Sequence, residues 1–385
     1  MKKTLLRMLS FFIVLVSLLA VSGKASAPLQ MPAEDAMSSS SAESHLLMDG
    51  NTGEILLESN ARKRLPIASV TKVMTCLLAL EEGDLSSVVF VPREAVGAEG
   101  SSIYLIEGER FLLSDLVYGL MLESANDAAL AIALHLSESV EEFAEKMNRK
   151  AAELGMDQTH FVNPHGLQHE MHYSTARDVA VLMRAALALP AFREISGTLT
   201  KTVSSLDGKS RYLSNHNKLL RSLSSCVAGK TGYTKTAGRC LASAAEKNGK
   251  LLVCVTLNDP NDWRDHVAFF EYGFGLYESR FFVEAGGILK NLPVVGGEEK
   301  EVTVTNSEGL NLMLKSTDRT EMVFEMPRFL YASVAEGVRV GEAVVLVNGI
   351  EAARLELKTT KPVPYRTEKI SLWQRIIRMI EKWLK

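Results

Sequence analysis

Leu65-Pro66-Ile67-Ala68-Ser69-Val70-Thr71-Lys72-Val73-Met74-Thr75 is the stretch on which the reading of this chain turns. Pro66 can precede a helix but not interrupt one, and apolar residues recur at helical spacing from Val70 to Glu81. The pattern predicts a helix that opens at Ser69-Val70-Thr71-Lys72. Three residues apart at such a start, the Ser69 hydroxyl and the Lys72 amine point to the same side of one turn. A serine hydroxyl is a poor nucleophile at neutral pH and needs an adjacent base, so the pair suits a lysine-activated serine. One such spacing alone is a common coincidence.

Two further segments remove the coincidence. Ser124-Ala125-Asn126 opens another helical pattern, and Lys230-Thr231-Gly232 lies in a strand pattern. In that chain order, on helix, helix and strand, they match the S-x-x-K, S-x-N and K-T-G set of penicillin-binding proteins and class A β-lactamases. Glu123 to Ala129, Asn163-Pro164-His165-Gly166-Leu167, Ser174 to Asp178 and Gly229 to Thr234 sharpen the match. From about residue 45 to 279 the chain resembles the low-molecular-mass serine D-alanyl-D-alanine carboxypeptidases of peptidase family S11. Asn215-His216-Asn217 and Trp263-Arg264-Asp265-His266 resemble the sporulation-associated branch of that family.

The resemblance implies an α+β fold: a β-lactamase/transpeptidase-like catalytic domain, with an antiparallel sheet packed on helices and a mostly helical lobe. It implies removal of the terminal D-alanine from peptidoglycan stem peptides through an acyl-enzyme on Ser69, and inhibition by β-lactams. Carried over by motif, Lys72 is the base and Ser124 bridges Lys72 to the leaving amine. Asn126 orients the scissile segment, and Lys230 with Thr231 holds the terminal carboxylate. Gly232 completes the strand motif, and the backbone N–H of Tyr233 joins that of Ser69 as oxyanion donors. Physically, Lys72 can serve only if neutral, and burial beside the second cation Lys230 would lower its pKa. No cofactor or metal is implied.

The rest of the chain divides by texture. Lys2, Lys3 and Arg7 precede an apolar run from Leu5 to Ala20, with small residues at Ala25-Ser26-Ala27, the three-part pattern of a signal peptide over residues 1–27. Its removal takes the net charge from −3 to −7, with Lys2, Lys3, Arg7 and Lys24 leaving. An N-terminal anchor is the alternative, though the run is shorter than the ~20 residues a span needs. Either way the protein is expected to be exported, on the outer face of the cytoplasmic membrane or in the cell-wall space. A Ser-rich leader fills 28–43 and the catalytic domain 44–282.

Within that domain two strands are expected around Asp49 to Gly53, helices over 113–121, 126–136, 140–154 and 175–189, and strands over 227–234, 239–246 and 251–257. Strands at both ends of a helical middle predict one antiparallel sheet whose first and last strands meet. Short strands at 302–305, 310–314, 344–347 and 354–358 predict a small all-β domain over 283–362. In 366–385, Ile370, Trp373, Ile376, Ile377, Ile380, Trp383 and Leu384 share one helical face and basic residues the other. Such a helix suits a membrane surface; an ordinary helix packed on the β domain or on a dimer partner is the alternative.

Composition is that of an ordinary globular protein, 46% hydrophobic and 23% charged, with no nucleic-acid surface. If Lys247 to Lys250 is a hairpin turn, Cys254 falls opposite Ser243 and Cys240 opposite Leu257, so the four cysteines are expected to be free thiols. His165, His169 and His172 beside Glu170 invite a zinc reading, but Pro164 and Gly166 break any helix that would align them. A β-lactamase shares the three motifs yet needs a deacylating carboxylate on a loop; Glu153, Asp157 and Glu170 lie in the relevant stretch without the expected context. A stem-peptide binder without activity, and a transpeptidase using the same acyl-enzyme, complete the alternatives. Arg239 and Arg264 are candidates by position for a second carboxylate contact.

Overall fold

Ser44–Asp49 is buried at every position, and a strand covered on both faces belongs inside a sheet. The computed structural model, which describes residues 40–367 and 372–383, places it there. The expected signal peptide, most of the leader and parts of the tail lie outside the described residues.

In chain order come β1 (Ser44–Asp49), β2 (Ile55–Ser59), a 3-10 turn (Ala68–Thr71) running into α1 (Lys72–Glu82), β3 (Val88–Phe90) and β4 (Arg110–Leu112). Then follow α2 (Leu113–Leu122), α3 (Asn126–Leu136), α4 (Val140–Glu153), α5 (Ala176–Leu187), α6 (Pro190–Gly197), the hairpin β5 (Thr200–Ser204) and β6 (Ser210–Ser214), and α7 (Leu219–Ser222). β7 (Cys226–Thr234), β8 (Gly238–Lys247), β9 (Lys250–Leu257) and α8 (Asp262–Gly275) complete this part. The sheet order is β2-β1-β9-β8-β7, antiparallel throughout. The first and last strands meet, as expected: Leu47 lies opposite Cys254.

Period-2 alternation then sorts the side chains. Leu46 and Met48 join the core shared with α1, α2, α3 and α5, where Val73, Leu77, Leu120, Ile132 and Leu182 are buried. Leu47, Leu241 and Leu252 face the other way, onto Phe269 and Phe270 of α8. Asp262 and Asp265 in the first turn of α8 complement its dipole. Ser243 pairs with Cys254 in the β8–β9 ladder, and all four cysteines are free thiols.

Beyond α8, β10 (Glu278–Val283) pairs antiparallel with Leu310–Leu314 of the next region. There β11 (Lys290–Val295), β12 (Glu301–Asn306), β13 (Leu310–Leu314), β14 (Thr320–Glu325), β15 (Leu330–Tyr331), β16 (Arg339–Val347) and β17 (Ile350–Thr359) follow. Six of them form a sheet ordered β14-β16-β17-β12-β11-β15, with its own core of Ile288, Val302, Val304, Ala343, Leu355 and Leu357. α9 (Leu372–Trp383) ends the described chain. Among the described residues no helix is long and apolar enough to cross a membrane.

Two differences from expectation matter. The helix expected from Val70 begins as a 3-10 turn with Ala68 at φ +46°, and the α-helix proper starts at Lys72, so Ser69 sits in the tighter turn rather than in the α-helix. α6, the β5–β6 hairpin and α8 were not anticipated. The sheet-to-α8 packing predicts that Phe269→Ala, which empties a fully buried site, lowers unfolding free energy by about 3–5 kcal/mol; a urea midpoint measures it.

Candidate active site

Lys72 opens α1 with its side chain fully buried. Its amine lies 2.9 Å from Ser69 Oγ, 2.6 Å from Asn126 Oδ1 and 2.7 Å from the His165 carbonyl oxygen. An ammonium could donate to all three. A neutral amine fits equally well, donating to Asn126 and His165 and accepting the Ser69 hydroxyl proton on its lone pair. Hydrogen-bond count therefore does not fix the charge; solvation does. Burial first, and the nearby Lys230 cation second, hold Lys72 well below the usual lysine range against the opposing pull of Asp127.

Lys230 reaches the same pocket from β7. It is also buried, donating to Ser124 Oγ at 2.9 Å and to the Thr231 carbonyl at 2.8 Å, and burial pushes its pKa down to about 7. The Ser124 hydroxyl thus pairs with Lys230, where the sequence suggested a bridge to Lys72. Ser124 has φ +58°, a left-handed turn that sets its side chain apart from α3, which begins two residues later. The Asn126 amide is engaged at both ends, Nδ2 donating to the Glu99 carbonyl at 2.5 Å. Its neighbour Asp127, buried, accepts from Ser102 Oγ and from the backbone of Ile103 and Leu105.

Two glycines allow the elements to meet. A Cβ on Gly232 would stand 2.9 Å from the Ile67 carbonyl oxygen and 3.0 Å from Ser69 N, so β7, the edge strand of its sheet, runs against the Ser69 turn, with Tyr233 the next residue. A Cβ on Gly166, at φ +88°, would stand 1.9 Å from the Ala68 carbonyl oxygen. The loop from Asn163 to Leu167 therefore seals the floor of the site. Thr75 Oγ1 donates to the Pro164 carbonyl at 2.6 Å. His172 accepts from Val162 N at Nδ1, so Nε2 carries the proton and donates to Thr71 at 2.8 Å.

Burial pushes His165 down to about 3 and His172 down to about 4; both are neutral at pH 7. The His165, His169 and His172 rings are spent on separate local bonds. Glu153, Asp157 and Glu170 are exposed; what this loop sends to the Lys72 amine is the His165 carbonyl.

The structure therefore gathers the five side chains as two hydrogen-bonded sets, Ser69, Lys72 and Asn126 in one and Ser124 with Lys230 in the other, with Ser69 and Ser124 opening on the same cleft. Thr231, Gly232 and Tyr233 line that cleft, of about 340 Å³. Sequence reasoning missed Ser101, His216, Lys218 and Asp262 on the same walls; only His216 lay in a segment already singled out. Arg239 lines the cleft, bidentate to Asp262 and over the Trp263 ring. Arg264 pairs with Asp265 instead.

The family described as D-alanyl-D-alanine carboxypeptidase matches residues 30–261. The chain is 31% identical over 319 residues to D-alanyl-D-alanine carboxypeptidase DacF of Bacillus subtilis, covering 80% of this chain and 82% of that one. It is 32% identical over 243 residues to DacB2 of Mycobacterium tuberculosis, covering 61% and 83%. Among solved structures, penicillin binding protein 5 from Haemophilus influenzae superposes with a TM-score of 0.60 at 27% identity, over 84% of this chain and 98% of that one.

The glycine packing gives a test. Gly155→Ala, at φ +75° in open space, is expected to cost about 1 kcal/mol of stability from backbone strain alone. Gly166→Ala adds overpacking of about 1–3 kcal/mol, so its thermal midpoint falls markedly further.

Proposed function

We propose, from the premise that this chain belongs to the D-alanyl-D-alanine carboxypeptidase family, that Ser69 is its acylated nucleophile and Lys72 the base that activates it. The protein is a serine-type D-alanyl-D-alanine carboxypeptidase, a cell-wall hydrolase acting on peptidoglycan peptides that end in D-Ala-D-Ala and binding β-lactams. The observation that carries the residue assignment is the fully buried Lys72 amine, in contact with Ser69 Oγ and crowded by a second buried lysine.

The chemistry follows. Neutral Lys72 takes the Ser69 proton as Oγ attacks the carbonyl of the penultimate D-alanine. The tetrahedral oxyanion is met by the N–H groups of Ser69 and Tyr233, each donor of this kind worth about 3 kcal/mol of the barrier. Lys230 and Thr231 hold the terminal carboxylate. Once Lys230 turns to that carboxylate, the Ser124 hydroxyl is released to carry the proton from Lys72 to the departing amine. Asn126 keeps Lys72 aimed and has one Nδ2 hydrogen left for the substrate. Water then hydrolyses the ester, losing its proton to Lys72 as Ser69 regains one. An amine in place of that water would make the same site a transpeptidase.

The proposal extends to the whole chain: residues 1–27 a signal peptide, 28–43 a leader, 44–282 the catalytic domain, 283–362 the β domain and 366–385 a membrane-surface helix on an exported protein. What supports the last is the solvent exposure of Trp373, Ile376, Ile377, Ile380 and Trp383, an apolar face suited to the lipid interface.

Two outcomes are expected. Ser69→Ala keeps its fold but gives no covalent adduct with benzylpenicillin by mass spectrometry, whereas the unaltered protein carries the adduct on the peptide containing Ser69; an adduct elsewhere sinks the assignment. The base works only above the lowered Lys72 pKa, and the carboxylate holder only while Lys230 is protonated, below about 7 in the free enzyme. The pH profile of kcat/KM is therefore bell-shaped, and Lys230→Arg, permanently cationic, loses the alkaline limb while keeping the acid one.

A further inference from the structure

Tyr104 stands out in the segment that follows Ser101 of the cleft wall. Its side chain is 83% exposed, yet its backbone is left-handed, at φ +56°, which is strained for a bulky residue. The strained segment is also fixed from both sides. From within, Asp127 accepts from Ser102 Oγ at 2.6 Å, Ile103 N at 3.2 Å and Leu105 N at 3.0 Å, and Ser102 Oγ accepts from Tyr104 N at 2.8 Å. From the β5–β6 hairpin, Arg211 donates to the carbonyls of Ile103 at 2.7 Å and Tyr104 at 2.9 Å, itself held by Glu109 and stacked over Phe111. A solvated aromatic on a loose loop would call for no explanation. A solvated aromatic on an over-determined, strained loop points to a contact partner.

The position says which partner. Ser101 lines the catalytic cleft, and its carbonyl accepts from Asn126 N at 2.7 Å. Three residues span at most about 10 Å, so Tyr104 lies within that distance of the cleft wall. An extended peptide rises about 3.3 Å per residue. We propose that Tyr104 forms a subsite for the acyl side of the substrate, its ring packing against the side chain of the second or third residue before the bond that is cut. The subsite rests on the reading of Ser69 as nucleophile. It gives the enzyme a preference for peptides long enough to reach Tyr104, and the aliphatic stem of a long side chain is the surface that a flat exposed ring covers best.

The test compares a five-residue stem peptide ending in D-Ala-D-Ala with acetyl-D-Ala-D-Ala, which stops short of Tyr104. Tyr104→Ala is expected to raise KM for the five-residue peptide about tenfold with kcat within twofold, leaving kinetics on the short peptide and acylation by benzylpenicillin unchanged. Tyr104→Phe, which keeps the ring, should behave as the unaltered protein. An unchanged KM for the long peptide overturns the subsite. So does an equal loss on both peptides and on acylation, which marks a structural role. Unaltered protein that forms the penicillin adduct but releases D-alanine from neither peptide overturns the functional reading and the subsite with it.

Discussion

Two lysine side chains lie buried close enough to feel each other's charge, and much that is distinctive around them serves to keep them there. Bringing an ammonium out of water is costly enough that a buried group gives up its charge instead, and two ammonium groups in one pocket raise that cost for each other. Lys72 and Lys230 cannot both be charged without cost, and burial holds both below the ordinary lysine range. Both effects push Lys72, in contact with the serine hydroxyl, towards the neutral amine that a base requires. Since the folded pKa of Lys72 lies below its unfolded one, any stability it contributes is present above the ordinary lysine range and lost as pH falls. Catalytic poise is therefore set against stability at the pH where the enzyme works.

The pocket is assembled from segments far apart in the chain. α1 brings Lys72, the start of α3 brings Asn126, the loop after α4 brings the His165 carbonyl, and edge strand β7 brings Lys230. Each approach has a local device behind it. Gly166 and Gly232 let backbones close to distances that a Cβ forbids. Ala68 and Ser124 adopt left-handed backbone conformations despite carrying side chains, and such strain gathers where a site over-determines its own geometry. Three non-glycine residues with positive φ, Ala68, Ser124 and Tyr104, fall at or within three residues of the cleft-lining Ser69, Ser124 and Ser101.

The side chains that meet at the candidate site were legible in the sequence. Ser69, Lys72, Ser124, Asn126 and Lys230 sit in short motifs whose spacing is fixed by helix and strand geometry, and the sheet followed from where apolar alternation began and ended. What was not legible acts through backbone or through company. The His165 and Glu99 carbonyls leave no residue-type signature, because any residue has a carbonyl. Asp127 looked like an ordinary helix-start acid until its buried bonds to the 102–105 segment were seen. The choice of Lys230 over Lys72 as partner of Ser124 depends on side-chain directions that spacing alone cannot give. α8 escaped notice because charged residues and glycines interrupt its apolar face, and the β5–β6 hairpin because it is mostly polar and exposed on one face.

The protonation state of Lys72 is the claim on which the rest depends, and it can be observed directly. In protein labelled with 13C at lysine Cε, with Lys72→Met and Lys230→Met identifying the two signals, a pH titration by NMR follows each amine. Lys72 is predicted to be neutral at pH 7, and its midpoint to rise when Lys230→Met removes the neighbouring cation. A Lys72 signal that titrates near the ordinary lysine value of about 10.4, whether or not Lys230 is present, would contradict the account.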